Sequence, residues 1–228
     1  MSAPLRVLHL RNSDRLSGPE RLLLDQAALA GEGVTPLLAS FGEADAAHPV
    51  LDAGRAAGLE THLIEQKGSY DRRLRRRVGE LVEQTNPDVV VSHDYKANFL
   101  SIRAVRDRWR ASIVHGYTGE GPKVGFFEAV DRKLLRRMDA VVVVSDALRD
   151  QLRAAGVAAE RLHVIANGIR ADRVHAAAAS ARAEVRAELG LADDDLALLA
   201  LGRLSPEKGQ DVLLEAFGKL ADADHVHL

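Results

Sequence analysis

Short apolar runs alternate with longer amphipathic stretches along the first three quarters of the chain. Seven runs read as strands, at residues 6–10, 34–40, 59–64, 88–92, 112–115, 140–144 and 162–166. Each is only four to seven residues long, too short for a helix and rich in β-branched side chains. Between them, apolar positions recur every three or four residues at 19–30, 49–57, 71–84, 96–108, 125–137 and 146–155, the spacing of helices with one buried face. Val89-Val90-Val91 and Val141-Val142-Val143-Val144 are apolar without alternation, as befits strands covered on both faces. The regular strand–helix order predicts an α/β fold: a doubly wound, Rossmann-like parallel sheet with right-handed crossovers.

The texture changes near residue 170. Residues 171–189 are rich in Ala, Arg and Glu, have no strand character and read as a helical linker closed by Gly190 and Asp193-Asp194-Asp195. A new buried-strand run follows at 196–201, a new helix at 205–220, and the first residues of another strand at 226–228. The expected organisation is therefore a complete Rossmann-like domain at 1–170, a linker at 171–195 and the incomplete start of a second such domain at 196–228.

Composition narrows the classes. The 228 residues amount to about one and a half domains of ordinary size. With 46% apolar and 28% charged residues the chain is of the soluble globular type, and no apolar run is long enough to span a bilayer. The absence of cysteine removes disulfides, thiolate zinc sites and cysteine nucleophiles, and suits a cytoplasmic location. A net charge of -2 gives no global reason to bind nucleic acid, so any anion site must be local.

In such sheets ligands collect beyond the carboxyl ends of the strands. After the first strand, Ser17-Gly18-Pro19 reads as a helix start with free backbone N–H groups, either a plain cap or an anion site. It is not the Gly-x-Gly-x-x-Gly turn of dinucleotide enzymes. Ser205-Pro206-Glu207-Lys208-Gly209 repeats the device, and there Arg203 and Lys208 set two cations beside the helix start, either as solvated charges on a capped surface helix or as the pair a pyrophosphate requires. His93 and His115 each end a strand, where an imidazole is either structural or faces the crevice. Neither His93-Asp94 nor His225-x-His227 has a third ligand at metal-binding spacing. Arg72, Arg73, Arg75, Arg76 and Arg77 crowd one end of a helix, as a solvated face or as a contact for an anionic membrane surface.

Taken together, several segments resemble glycosyltransferase family 4, the retaining nucleotide-sugar glycosyltransferases of the two-domain GT-B fold. The most specific is Leu201-Gly202-Arg203-Leu204-Ser205-Pro206-Glu207-Lys208-Gly209, similar to the family's Gly-Arg-Leu-x-x-Glu-Lys-Gly signature. Val164-Ile165-Ala166-Asn167-Gly168-Ile169 and Val142-Val143-Val144-Ser145-Asp146-Ala147-Leu148 match two further segments. His93-Asp94-Tyr95-Lys96, Val114-His115-Gly116 and Gly18-Pro19-Glu20 fit the acceptor-side strands and the first loop. Ala166 stands where the family usually has proline, and Arg170 where aspartate is frequent.

The resemblance implies that Arg203 and Lys208 grip the donor diphosphate and that Gly18 lets the first loop close over the sugar phosphate. It places His115 beside the reacting sugar as the catalytic candidate, with His93 and Tyr95 on the acceptor side. The donor substrate would be a nucleotide-diphosphate sugar, with no metal or other cofactor, and the acceptor a lipid-linked sugar or a polysaccharide. The expected location is cytoplasmic, peripheral at the inner membrane face if the arginine block touches lipid. The resemblance implies that the family's Glu-x7-Glu element, which holds the donor's sugar and ribose, lies downstream of Leu228, so a truncated and weakened enzyme is expected. Two alternatives are an acceptor-binding half that needs a separate donor-domain chain, and a GT-B nucleotide-sugar epimerase or hydrolase.

Overall fold

The structure, a computed structural model, describes residues 3–13, 15–68, 71–116, 122–171, 181–192, 194–202, 204–220 and 225–228. The chain divides into two compact units, Met1–Ile169 and Arg170–Leu228. In the first, strands β1 (Leu5–Arg11), β2 (Val34–Gly42), β3 (Glu60–Glu65), β4 (Val89–Ser92), β5 (Trp109–Val114), β6 (Ala140–Val143) and β7 (Leu162–Val164) alternate with helices α1 (Gly18–Ala28), α2 (Pro49–Ala56), α3 (Leu74–Thr85), α4 (Tyr95–Ala104), α5 (Pro122–Leu135) and α6 (Asp146–Ala154). The seven strands form one parallel sheet in the order β3-β2-β1-β4-β5-β6-β7. This is the doubly wound α/β sheet that the apolar pattern predicts.

Strand β2 shows why the runs are continuously apolar. Leu37, Ala39 and Phe41 join Leu8, Leu10 and Val90 against Leu74, Val78 and Leu81 of α3 and Leu100 of α4. Leu38, one residue out of phase, packs with Leu23 of α1 and Val50 and Leu51 of α2. Both faces of the strand are thus covered, which leaves no solvated positions to interrupt the run. A third cluster, with Val141 and Val143 of β6, Leu135, Met138, Leu148 and Leu152, closes the β6 end.

Several element bounds differ from expectation. The fourth helix was expected to reach residue 108 but stops at Ala104, since Val105 turns extended and Asp107 takes a φ of 56°. The freed residues let β5 begin at Trp109, three positions before the apolar run at 112, and Asp139 accepts the Arg110 N–H at 2.9 Å. Likewise α3 begins at Leu74 rather than at 71, because the Asp71 carboxylate accepts the N–H groups of Lys67 and Arg73 in a turn. Among the described residues no helix is long and apolar enough to cross a membrane.

The second unit contains α7 (Ala181–Glu188), β8 (Leu196–Ala197), a 3-10 turn at Pro206–Lys208, α8 (Gln210–Phe217) and β9 (Val226–His227). Two expectations change here. Only Leu196 and Ala197 of the run at 196–201 are paired, in parallel with Val226 and His227, and Leu199 and Leu201 are 88% and 92% exposed. The helix expected over 205–220 is interrupted at Gly209, whose φ of 62° lies in the left-handed region that glycine tolerates best. The first half of the expected linker, at 172–180, lies outside the described residues.

A two-residue strand pair with exposed leucines opens locally, whereas β6, paired on both edges, opens only with the whole sheet. In hydrogen exchange, the amides of Leu196 and Leu198 are therefore expected to exchange roughly a hundredfold sooner than those of Val141–Val143. Equal protection of the two would contradict this.

Candidate functional site

Strands β1 and β4 are neighbours, yet the chain leaves β1 toward β2 and leaves β4 toward β5, in opposite directions. This reversal opens a crevice past their carboxyl ends. The residues there are polar: Arg11 and Asn12 end β1, His93 and Asp94 follow β4, and His115 follows β5 after Val114. Within β1 the pleat sends Leu8 and Leu10 into the core and leaves His9 and Arg11 on the opposite face.

Three imidazoles line up across the strand ends. His9 Nδ1 lies 2.9 Å from His93 Nε2, and the His93 ring is stacked on His115 at 6.2 Å between centroids, 15° from parallel. His93 is only 5% exposed, so it forms the buried middle of the row rather than an open wall of the crevice. Among the described residues, His93 Nδ1 and His115 Nε2 have no protein partner. Burial lowers the pKa of all three imidazoles. His9 falls from 6.5 to about 4, His93 well below its usual range with His9, Arg11 and His115 adding to burial, and His115 is lowered further by the Arg11 charge. At neutral pH the row is uncharged, so each ring offers both an N–H donor and a nitrogen acceptor.

Beside it sits an ion pair. Glu20, from the first turn of α1, is 1% exposed. Its Oε1 accepts from Arg11 Nε at 2.7 Å and from Nη2 at 2.5 Å; its Oε2 accepts from the Ser17 N–H at 3.0 Å and from the Ser17 hydroxyl. Burial would raise the Glu20 pKa, but the Ser17 bonds and the Arg11 charge outweigh it and hold the carboxyl at about 2. Arg11 Nη1 donates to the His93 carbonyl at 2.6 Å. Further along, Asp94 caps α4 by accepting the Ala97 N–H at 2.9 Å and ties it to β1 by accepting the Asn12 N–H at 2.7 Å. Burial raises its pKa despite those bonds. Lys96 donates to Asn12 Oδ1 at 3.1 Å and to Gln66 Oε1, with its ammonium 4.7 Å from the Phe41 ring centre; burial lowers its pKa.

The residues singled out from the sequence fall in different places. His93 and His115 meet in the row described above. Gly18 is the first residue of α1, and a Cβ built on it meets nothing within 4 Å. Tyr95 opens α4 and is half exposed; its ring lies 5.2 Å from Phe127, which in turn meets Phe126 edge-on at 5.8 Å. Lys208 ends the 3-10 turn of the second unit and is exposed, and Arg203 lies outside the described residues. Arg77 is spent on Asp71 at 3.5 Å and Glu65 at 3.8 Å, and Arg76 pairs with Glu80. Arg72, Arg75 and Arg76 line an open groove of about 580 Å³ with Arg103 and Arg106 of the next helix and its exit. Among the described residues no group of three His, Asp or Glu could hold a metal ion. His9, Arg11, Asn12 and Glu20 were missed as site residues, although Ser17-x-x-Glu20 has the spacing of a capping box and marks Glu20 as a side chain that reaches back.

Known proteins resemble the chain in the same region. Residues 17–173 match the model of Glycosyltransferase Family 4. Alpha-D-kanosaminyltransferase of Streptomyces kanamyceticus is 37% identical over 91 residues, 40% of this chain and 23% of that protein. D-inositol 3-phosphate glycosyltransferase of Streptomyces bingchenggensis is 29% identical over 150 residues, 60% of this chain and 32% of its own length. The chain thus spans a third or less of these relatives. Among solved structures, Anabaena Alr3699/HepE in complex with UDP superposes with a TM-score of 0.78 at 21% identity, over 98% of this chain and 62% of that one. UDP-GlcNAc 2-epimerase from Neisseria meningitidis reaches 0.58 at 10% identity, over 98% and 71%. At such identities the likeness is one of fold.

The perturbed groups fix how stability responds to acid. Below pH 6.5 the unfolded chain binds a proton at His9 that the folded chain refuses until about pH 4, so stability is lost across that window. Glu20 adds a second window, from its ordinary 4.5 down to about 2, worth about 3 kcal/mol. Denaturant unfolding followed against pH should show both losses. His9→Gln should make the upper one shallower and leave the lower one unchanged.

Proposed function

Because the chain belongs to Glycosyltransferase Family 4, we propose that it forms the acceptor side and the start of the donor side of a retaining glycosyltransferase, which moves a sugar from a nucleotide-diphosphate sugar to a lipid-linked or glycan acceptor. The observation that carries this reading is the polar crevice at the β1–β4 reversal, where the partly buried His115 ends a row of uncharged imidazoles.

Each step has a residue to perform it. Gly18 has an ordinary backbone and open space where a side chain would stand, which supports close approach of a phosphate or sugar to the backbone at the α1 start. His115, neutral and with Nε2 unpartnered among the described residues, is suited to hydrogen-bond a hydroxyl of the transferred sugar or the acceptor. Arg203 and Lys208 would stabilise the charge of the departing diphosphate, the largest electrostatic demand of the reaction. Tyr95, Phe126 and Phe127 offer contiguous exposed rings at the α4 and α5 starts, a surface suited to the apolar carrier or the sugar faces of an acceptor. HepE, the structural neighbour solved with UDP, was also solved with UDP-glucose, which supports a nucleotide sugar as donor.

Two experiments test the proposal. With UDP-glucose as donor probe, transfer or nucleotide binding should weaken roughly tenfold in Lys208→Ala, as for the loss of one charge-assisted bond. Gly18→Ala should weaken it as well while leaving thermal stability unchanged or slightly raised; a stability loss would return Gly18 to a structural role. Acceptor binding with no donor binding would favour an acceptor-binding half that works with a separate donor-domain chain. Epimerised or hydrolysed UDP-sugar without transfer would favour the other GT-B chemistries.

The groove between α3 and the α4 exit, where five arginines outnumber Glu80 and Glu83, supports contact with an anionic membrane surface. Binding to phosphatidylglycerol vesicles should be lost at high salt and reduced by Arg72→Ala/Arg75→Ala. Binding that ignores both changes would exclude this route.

A further inference from the structure

Glu20 makes more bonds than a helix cap requires. A capping glutamate needs only the N–H of the cap residue, here Ser17 at 3.0 Å. Its second oxygen is taken by two nitrogens of Arg11, at 2.7 and 2.5 Å, and Arg11 uses its remaining arm on the His93 carbonyl at 2.6 Å. One carboxylate, 1% exposed, therefore fastens the end of β1 to the start of α1 and, through Arg11, to the exit of β4. A buried ion pair is a weak stabiliser compared with apolar side chains of the same volume. What this pair does supply is direction, because a planar guanidinium held by its Nε edge has one orientation left for its third arm.

We propose that Glu20 is a positioning residue of the crevice: by clamping Arg11 to Ser17 it fixes the two ends of the β1–α1 connection and sets the Arg11 guanidinium across the end of β4. The assignment rests on the reading of the crevice as the place of glycosyl transfer, since the connection leads into Gly18 and the Arg11 charge stands beside His93 and His115. Removing the Glu20 carboxylate leaves Arg11 charged and unopposed next to His115. Loss of the clamp thus has a spectroscopic consequence that loss of a mere cap lacks.

The test needs neither donor nor acceptor. Glu20→Gln preserves shape and removes the charge, while Arg11→Lys preserves charge and removes the fork. In amide hydrogen exchange on the full chain, each should speed exchange at Asn12, Leu16 and Ser17 roughly tenfold, with Val141–Val143 unchanged. The double variant should be no faster than either single one, because both break the same clamp. In Glu20→Gln the His115 ring protons, assigned by comparison with His115→Gln, should titrate at a lower pH than in the parent chain. Unchanged exchange at Asn12 and Ser17, acceleration spread evenly over the sheet, additive effects, or an unmoved His115 titration would each overturn the proposal. Should Glu20→Gln fail to fold, Arg11→Lys decides by itself: local acceleration supports the clamp, and none overturns it. Failure of the parent chain to bind nucleotide or transfer sugar would count against glycosyl transfer and leave these measurements standing.

Discussion

A parallel sheet that reverses its winding must leave one pair of neighbouring strands without a crossover helix over their shared carboxyl end. In this chain the pair is β1 and β4. Elsewhere the strands are apolar on both faces because helices cover both, as the split of Leu37 and Leu38 between two clusters shows. Polar side chains are affordable where that cover stops, and there they gather: His9, Arg11 and Asn12 from β1, His93 and Asp94 from β4, His115 from β5. Location and composition of the crevice are thus consequences of topology before any ligand is considered.

Gathering these groups has a cost, because each loses water. The cluster meets it in three ways. The imidazoles stay neutral, as the lowered pKa of His9, His93 and His115 records. Glu20 stays charged but spends both oxygens on four donors from Arg11 and Ser17. Lys96 exchanges water for two amide oxygens and a ring face. The result is a wall whose donors and acceptors are set at neutral pH without any ligand. A site that stabilises a developing charge gains most from such prior arrangement, since nothing must reorient during the reaction.

The succession of strands and helices and the class of the sheet were legible in the sequence because they rest on local periodicity and on how many faces are covered. Some of the boundaries missed are set where no apolar signal marks the change: the Asp71 carboxylate holds a turn before α3, and the positive φ of Asp107 turns the chain after α4. The site was legible only by parts. His93 and His115 could be placed at strand ends, but the burial of His93 depends on His9, 84 positions away, and on a register no periodicity contains. Arg11 has the same difficulty, since its meaning comes from the His93 carbonyl 82 positions on. Glu20 stands three residues after a capping serine, a spacing the sequence shows, but a capping box by itself says nothing of what else the carboxylate holds.

Two glycines show how far a motif can be carried by geometry. Gly209, in the segment most specific to the family, has a φ of 62° and separates a 3-10 turn from a helix. The fold itself demands glycine there, so its presence is explained without any ligand, and the free N–H groups of α8 begin after Lys208 rather than at Pro206. Gly18 is the opposite case. Its backbone is ordinary, no neighbour would meet a Cβ, and alanine would favour the helix. Open space of this kind also surrounds Gly31, Gly33, Gly125 and Gly168, so the fold neither requires glycine at position 18 nor excludes a side chain there. The more specific motif is therefore the one whose glycine the backbone itself explains.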